Sequence, residues 1–393
     1  MWRAVAFGFL LNLSSAFGQT HFISLFNAQL RAAFELSHGA VGVLYSAATL
    51  ASAAVLPWAG KLIDDSDLRK YAAAVIFGLG AAALSLSFAE AAWQLVAAFF
   101  MLRLFGQGLS SHTGFTTTAR LAVRARGKSL SIAGLGMSIG EAIAPPLVAF
   151  ALLYLEWRGV WRGAALVQFV FVMLLAQMLL RGMPHLPPPA DDSAAAKNGS
   201  WTRAQVLRDA RFWLAAPALF APPLVITALF FHQYSLAEYK NTGFAAWTAG
   251  VAAYSAGSVC ASLAAGVLVD KFGGAQIVRW ILLPLIAAVL LPVWADFPGL
   301  SFAYYAFMGI SAGIGVSSVN ALWVEIYGKA HLGAVRALAH SFVVLFSAAG
   351  PAAYGALLDA GISWANILLL TAAWLAIAAA VLRAVPLEFR APK

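Results

Sequence analysis

The sequence predicts an all-α polytopic membrane protein with twelve transmembrane helices in two pseudo-symmetric six-helix bundles. Of its 393 residues, 62% are apolar and only 10% are charged, whereas about 25% of a typical soluble domain is charged. The apolar residues form blocks of roughly 20, each long enough to cross a hydrocarbon core of ~30 Å as a helix. Motifs of the first half also recur in the second half. This composition excludes a soluble enzyme and a nucleic-acid-binding protein.

The spans and domains follow from where the apolar blocks begin and end. A polar, proline-rich stretch separates the sixth block from the seventh and predicts a linker without a core of its own. The predicted domains are an N-terminal bundle at 1–181, a cytoplasmic linker at 182–208 and a C-terminal bundle at 209–393. The predicted spans are 4–30, 38–60, 71–89, 92–118, 129–154, 160–180, 212–237, 246–269, 275–295, 299–324, 333–357 and 363–384.

The basic residues indicate on which side of the membrane each loop lies. If the N-terminus is cytoplasmic, 20 of the 25 Lys and Arg residues lie on the cytoplasmic side, four lie outside, and Arg103 lies within a span. The positive-inside rule then predicts a multi-pass protein of the cell membrane, here a bacterial inner membrane, with both termini in the cytoplasm. The net charge of +9 has the same explanation and indicates no nucleic-acid partner. The single cysteine, Cys260, is expected to be a small packing residue.

Corresponding helices of the two halves carry similar motifs, which indicates duplication of a six-helix unit. Secondary transporters are often built from such repeats, and they hold the substrate between the halves near the bilayer midplane. The paired motifs are Gly60-Lys-Leu-Ile-Asp64 with Gly266-Val-Leu-Val-Asp270, Gly106-Gln-Gly108-Leu-Ser110-Ser111 with Gly313-Ile-Gly315-Val-Ser317-Ser318, and His21-Phe-Ile-Ser24 with His232-Gln-Tyr-Ser235.

With these motifs the chain resembles the major facilitator superfamily over nearly its full length. The stretch from Gly266 to Gly273 is similar to the loop signature that follows the eighth helix in that family, and Arg103 with the glycines after it resembles the fourth-helix signature. The first copy of the loop signature keeps Asp64 but has acidic residues where a basic residue and a glycine are usual. The resemblance implies a secondary transporter that needs no cofactor and acts as a monomer.

Two further segments resemble one branch of that family, the monocarboxylate and oxalate–formate transporters. They are the run from Arg126 to Pro146 and the run from Leu207 to Trp213. The branch implies a small organic anion as substrate and protons as the coupling ion. It also implies a cationic residue in the eighth helix, but the span 246–269 contains no Arg, Lys or His. The charge of an anionic substrate is therefore expected to be met elsewhere.

Ionisable side chains in the middle of a span indicate function, because each costs at least about 2.5 kcal/mol on insertion scales. Arg103 is predicted to share a polar helix face with Gln107, as the wall of a substrate cavity. Three roles are open for Arg103. It contacts an anionic substrate, it pairs with Glu141, or it is a structural residue that binds backbone carbonyls near the first helix. Glu141 is a proton carrier or a permanent ion-pair partner of Arg103.

The two histidines of the repeated motif, His21 and His232, are candidates for both substrate binding and proton coupling. Imidazole titrates near neutral pH and can hydrogen-bond a substrate when it is neutral. Tyr239 and Asn320 are weaker candidates for substrate binding. A further group at the cytoplasmic ends of spans is predicted to form charge networks that gate the conformational change: Asp64, Asp270, Lys271, Arg69 and Arg336.

The leading functional prediction is a proton-coupled transporter of a small organic anion that works by alternating access. The first alternative is a proton-coupled exporter of lipophilic drugs or metabolites, because 13 Trp and 27 Phe could line an aromatic cavity. The second is a non-transporting membrane sensor or enzyme. The spans carry no metal-ligand spacing and no nucleotide-binding loop, so no metal, no cofactor and no direct drive by ATP are expected.

Overall fold

The computed structural model describes residues 2–121, 126–183, 201–328 and 331–388. These residues form helices and no β-strand. Within the described ranges, eleven helices are long and apolar enough to cross a membrane. The twelfth span is the first one, which is divided into shorter helical pieces. The predicted all-helical, multi-pass fold with twelve spans is confirmed.

We number the spans α1 to α12 in chain order, and most begin and end within a few residues of the predicted positions. Their bounds are residues 2–34 for α1, His38–Asp65 for α2, Leu68–Ser87 for α3, Ala92–Leu121 for α4, Arg126–Ala151 for α5, Trp157–Leu180 for α6, residues 210–239 for α7, Phe244–Phe272 for α8, Gly274–Trp294 for α9, Leu300–Tyr327 for α10, Leu332–Asp359 for α11 and Trp364–Ala384 for α12.

Local sequence signals explain where several spans begin. The side chains of Ser37, Asp67 and Ser363 each accept a hydrogen bond from a backbone N–H in the first turn of the helix that follows. Such caps satisfy N–H groups that have no partner within the helix. Between α8 and α9 the chain turns at Gly273, whose φ of 85° favours glycine. The helix boundaries are thus set by residues next to the apolar blocks.

The chain forms two compact units. One covers Met1–Ala190 and Phe230–Ser235, and the other covers Asp191–Leu229 and Leu236–Lys393. The short segment Phe230–Ser235 of α7 therefore belongs to the first unit. Most of the predicted linker, residues 184–200, lies outside the described residues. Its last part forms a short helix, Arg203–Arg208, which Thr202 caps and which Asp209 separates from α7.

Helix α1 is broken near the middle of its length. An α-helix covers Trp2–Ser14 and a 3₁₀ turn covers Ser15–Gly18, and then Gln19 adopts an extended conformation with ψ of 154°. Helical structure resumes at Thr20. A break of this kind frees backbone groups that cannot reach water in a bilayer, so neighbouring helices must supply partners.

Glycine contacts hold α1 against α4 and α5. A Cβ atom at Gly18 would lie 2.1 Å from the Leu102 carbonyl oxygen of α4, and one at Gly136 of α5 would lie 2.2 Å from the Phe9 carbonyl oxygen. Residues without side chains let the helix backbones touch, which is a common basis of packing in membranes. The glycines therefore fix the position of α1 between two neighbours.

In the second unit the glycines of α10 pack against α8. A Cβ at Gly313 would lie 2.2 Å from the Ser258 carbonyl oxygen, and one at Gly309 would lie 2.1 Å from that of Tyr254. In the repeated motif of α4, by contrast, Gly106 faces Gly18 of α1. The two copies also differ in helix type, because α4 contains a π-helical segment, Leu102–Ser110, whereas α10 is a continuous α-helix.

Candidate functional site

Two regions contain most of the side chains predicted to bind substrate or carry protons. The first is a buried polar cluster in the first unit, where α1 is broken. The second is a cavity within the second unit. Each region lies inside one unit, and each brings together residues that are far apart in the sequence.

Arg103 stands at the break in α1. Its Nη1 atom donates to the Gly18 carbonyl oxygen at 3.2 Å and to the Thr20 hydroxyl at 3.4 Å. The guanidinium also lies 5.4 Å from the ring centroid of Tyr45, whose hydroxyl is 2.7 Å from that of Thr20. The side chain is 3% exposed. Arg103 thus supplies a donor to a carbonyl that the broken helix has freed.

The polar face of α4, which includes a π-helical segment, packs partly against a neighbouring helix. Gln107 is half-buried, and Ser110 and Thr117 are buried. Thr118 donates to the Ala4 carbonyl oxygen of α1 at 3.3 Å, so this end of the face packs on a helix. A cavity wall at Gln107 stays a prediction, whereas the face at Thr118 packs against α1. The reason is the glycine-mediated approach of α1, which fills the space beside α4.

His21 and Glu141 face each other across α1 and α5. The His21 Nδ1 atom lies 3.5 Å from the Glu141 Oε1 atom. The histidine side chain is 6% exposed and the carboxylate 20% exposed. Glu141 can take this position because the glycines on a neighbouring face of α5 bring that helix against α1. The pair joins two groups that can each hold a proton, and the carboxylate is the more exposed of the two.

Two nitrogen atoms in this cluster have no hydrogen-bond partner among the described residues. They are the Nε2 atom of His21 and the Nε atom of Arg103. Both side chains are more than nine-tenths buried. The cluster therefore holds two polar nitrogen atoms that no described residue uses.

The segment Phe230–Ser235 of α7 completes the first unit beside this cluster. Gln233 donates to the Ser24 hydroxyl at 2.8 Å, and Asn27 donates to the Phe231 carbonyl oxygen at 2.8 Å. His232 is buried, with its ring centroid 5.8 Å from that of His38. The two histidines of the repeated motif thus lie in the same unit.

A cavity of about 460 Å³ lies within the second unit. Residues of α7, α8, α9, α10 and α11 line it, and aromatic rings form part of its wall. Phe220, Tyr254 and Trp323 supply these rings, while Thr227 and Asn320 supply polar groups. Its described lining residues include no Asp or Glu. The size and the mainly apolar wall with few polar groups are typical of a site for a small molecule.

Two basic side chains of α11 line this cavity. Arg336 and His340 are four residues apart, so they lie on the same face of the helix. Both are exposed, and no carboxylate of a described residue forms an ion pair with either. The Nη2 atom of Arg336 donates to the Asn320 carbonyl oxygen at 3.2 Å. The cavity therefore contains a cationic group that no carboxylate of the described residues neutralises.

His340 was not among the residues predicted from the sequence, and Arg336 was predicted only as a gating residue. The i, i+4 spacing of two basic residues near the start of α11 was a signal that could have identified both. Asn320, a weaker candidate, lines the cavity beside them. Tyr239 is exposed in the last turn of α7, and its ring centroid lies 5.8 Å from the Lys240 Nζ atom. Tyr239 belongs to neither region.

The other predicted gating residues occupy helix ends. Asp64 forms an ion pair with Arg120, which joins α2 to α4, and the Nε atom of Arg69 donates to Gln177 of α6 at 3.2 Å. Asp270 and Lys271 are exposed at the end of α8. All partners shown here lie within one unit, and a role in gating stays a prediction.

Solved structures of several transporters have the same fold. The nucleoside transporter NupG matches with a TM-score of 0.75 at 14% identity, over 98% of each chain. A D-xylose–proton symporter matches with a TM-score of 0.71 at 17% identity, over 98% of this chain and 97% of the other. A bacterial homologue of the human lysosomal transporter Spinster matches with a TM-score of 0.70 at 14% identity, over 97% and 96%. At these identities the likeness shows the fold alone.

The family comparison is more specific. The model of the Major Facilitator Superfamily matches residues 8–290, and a second match covers residues 237–393. No curated protein matches the chain significantly in sequence. The match confirms the predicted superfamily and a transporter rather than an enzyme, while the monocarboxylate branch stays a prediction. By sequence and by fold, the chain belongs to the Major Facilitator Superfamily.

Proposed function

We propose that this protein is a proton-coupled secondary transporter of a small organic anion. The observation that carries the proposal is the cavity on α11, where Arg336 and His340 face a space whose described lining has no carboxylate. A guanidinium without a countercharge is well suited to bind a carboxylate, because its planar fork matches the carboxylate geometry. This position on α11 also replaces the basic residue that the eighth span lacks.

The rest of the cavity wall supports an organic rather than an inorganic anion. Trp323, Phe220 and Tyr254 offer apolar surface to the body of a ligand, while Asn320 and Thr227 offer hydrogen bonds. Burial of apolar ligand surface contributes about 25 cal/mol for each Å² removed from water. A small carboxylate with an apolar body fits this combination of groups.

Proton coupling is supported by the pair of His21 and Glu141 in the first unit. The two side chains lie within 3.5 Å, and the carboxylate is partly exposed. One of the transporters with the same fold is, by its name, a D-xylose–proton symporter. We extend the proposal to alternating access, to cytoplasmic termini in a bacterial inner membrane, and to a monomer with the domain boundaries predicted above.

Replacement of Arg336 by Gln is expected to weaken anion binding by about tenfold to a hundredfold, because a hydrogen bond to a charged group contributes about 1.5–3 kcal/mol. His340→Gln is expected to have a smaller effect in the same direction. The measurement is thermal stabilisation of the purified protein by lactate, oxalate and benzoate, since a ligand that binds only the folded state stabilises it. D-xylose and uridine serve as neutral comparison ligands.

The matched control is Arg208→Gln, which removes an exposed arginine of the short helix outside the cavity. This variant is expected to bind anions like the unchanged protein. Equal stabilisation of the unchanged protein and Arg336→Gln by every carboxylate would contradict the proposal. Stabilisation by the sugar or the nucleoside alone would also contradict it.

The second candidate function is export of lipophilic compounds, which the aromatic rings of the cavity favour. Arg336 opposes lipophilic cations, because like charges in a confined site repel. Stabilisation by tetraphenylphosphonium but not by carboxylates would therefore support this candidate against the first.

A further inference from the structure

A second concave surface lies on the outside of the second unit, between α8, α9 and α10. It encloses about 790 Å³ and shares no lining residue with the cavity described above. Every lining residue is apolar or glycine. We call it the α8–α10 groove. Its exposed apolar surface lies on spans that cross the membrane, so hydrocarbon rather than water fills it.

The groove exists because one face of α8 carries small residues. Ala256, Cys260 and Ala264 follow each other at intervals of four residues, and all three are exposed. The walls on either side carry larger groups, such as Trp280 of α9 and Ile310 of α10. The expectation that Cys260 is a packing residue was wrong, since Cys260 is exposed and no helix of the described residues covers this face.

Two basic residues follow the groove at the ends of α8 and α12, and neither is among its lining residues. Lys271 lies seven residues after Ala264, on the same face of α8. At the end of α12, the guanidinium of Arg383 lies 5.5 Å from the ring centroid of Trp280, which lines the groove. Both basic residues are exposed, and neither forms an ion pair with a described carboxylate. The neighbouring Asp270 lies on another face of α8 by helical geometry.

We propose that the α8–α10 groove binds an anionic phospholipid. An acyl chain would lie along the small residues of α8, and the phosphate would lie against Lys271 and Arg383. Basic groups beside apolar grooves between transmembrane helices are suited to acidic headgroups. The aromatic ring of Trp280 lies between the apolar groove and the basic end, where an amphipathic side chain fits the headgroup level.

Charge favours a lipid over a second copy of this chain. In a two-fold symmetric dimer with its axis along the membrane normal, the same patch of both copies meets. The basic ends of the two grooves would then lie at the same depth and face each other. Like charges at an interface are unfavourable, whereas an anionic headgroup neutralises them.

Cys260 offers a direct test, because it is the only cysteine of the chain and lies in the groove. The rate at which N-ethylmaleimide alkylates Cys260 is measured in detergent, with phosphatidylglycerol or phosphatidylcholine added. Phosphatidylglycerol is expected to protect the thiol at lower concentrations than phosphatidylcholine. Arg383→Gln and Lys271→Gln are each expected to raise the concentration of phosphatidylglycerol needed for protection about fivefold. The reason is that each basic residue contributes about 1 kcal/mol to binding of an anionic lipid. Lys61→Gln, an exposed lysine of the first unit, is the control.

A second variant tests the groove itself. Ala264→Leu is expected to remove the retained phosphatidylglycerol that native mass spectrometry detects, because the leucine side chain occupies the space of the acyl chain. Ala376→Leu, at an exposed position of α12, makes the same change outside the groove and is expected to retain the lipid.

Three outcomes would overturn the proposal. The first is equal protection of Cys260 by both lipids, which would mean that the basic residues do not contribute. The second is protection that rises with protein concentration in the absence of lipid, which would indicate a second copy of the chain. The third is protection by inorganic phosphate alone, which would indicate an anion site without an acyl chain.

Discussion

Glu141→Gln is expected to abolish proton-driven accumulation of substrate while exchange of substrate across the membrane continues. The amide keeps the size of the carboxyl group but cannot carry a proton. In the structure Glu141 lies beside His21 and is partly exposed, so a proton can reach it from outside the buried cluster. A pH difference of one unit corresponds to about 1.4 kcal/mol for each coupled proton. This energy supports about a tenfold concentration gradient of the substrate. This gradient is expected to disappear in the variant.

The measurement uses proteoliposomes with a trapped pH indicator and a radiolabelled carboxylate that stabilises the protein. Uptake under a pH gradient reports coupling, and counterflow at equal pH reports exchange. Glu90→Gln is the matched control, because Glu90 is exposed in the loop between α3 and α4. Unchanged accumulation in Glu141→Gln would refute the coupling role. Loss of both accumulation and counterflow would show a general defect in transport instead.

Gly18→Ala is expected to reduce the stability of the folded protein by about 3 kcal/mol, at the upper end of what overpacking usually costs. A Cβ at this position would lie 2.1 Å from the Leu102 carbonyl oxygen and 2.6 Å from the Gly106 Cα atom. Both are backbone atoms, so no side chain can rotate away to make room. Helices α1 and α4 must separate, which also weakens the hydrogen bond of Arg103 to the Gly18 carbonyl oxygen.

The unfolding temperature in detergent measures this effect. Size-exclusion chromatography monitors the loss of folded protein as the temperature rises. Gly163→Ala is the matched control, because Gly163 lies in α6 with no atom near its would-be Cβ. Alanine favours a helix over glycine by roughly 0.5–1 kcal/mol, so the control is expected to unfold at the same or a slightly higher temperature. If Gly18→Ala unfolds at the temperature of the unchanged protein, α1 and α4 do not meet as closely as described.

The membrane spans could be predicted because their cause is local. Hydrocarbon excludes charged residues and requires about 20 apolar residues for a helix that crosses it. The ends of the spans depend on adjacent caps such as Ser37 and Asp67, which the sequence also displays. The break at Gln19 could not be predicted, because it depends on the contact of Gly18 with α4 and on a donor from Arg103.

The arrangement of the candidate sites was only partly predictable. Helical periodicity assumes a regular α-helix, but α4 is π-helical from Leu102 to Ser110. In a π-helix the hydrogen bonds run from residue i to i+5, so faces derived from a 3.6-residue turn do not apply. Periodicity along one helix also says nothing about which helices are neighbours. For this reason Glu141 was considered with Arg103 but lies beside His21.

The sequence by itself determined that the chain crosses the membrane twelve times, that it resembles the major facilitator superfamily, and that few ionisable groups lie within its spans. Composition and local motifs suffice for these conclusions, because the bilayer core disfavours every charged side chain wherever it lies along the chain. Only the tertiary structure decided which groups meet. It placed His21 beside Glu141, and it placed Arg336 with His340 in one cavity. Such pairs depend on the close packing of glycine faces and on irregular helices, which bring together residues far apart in the chain.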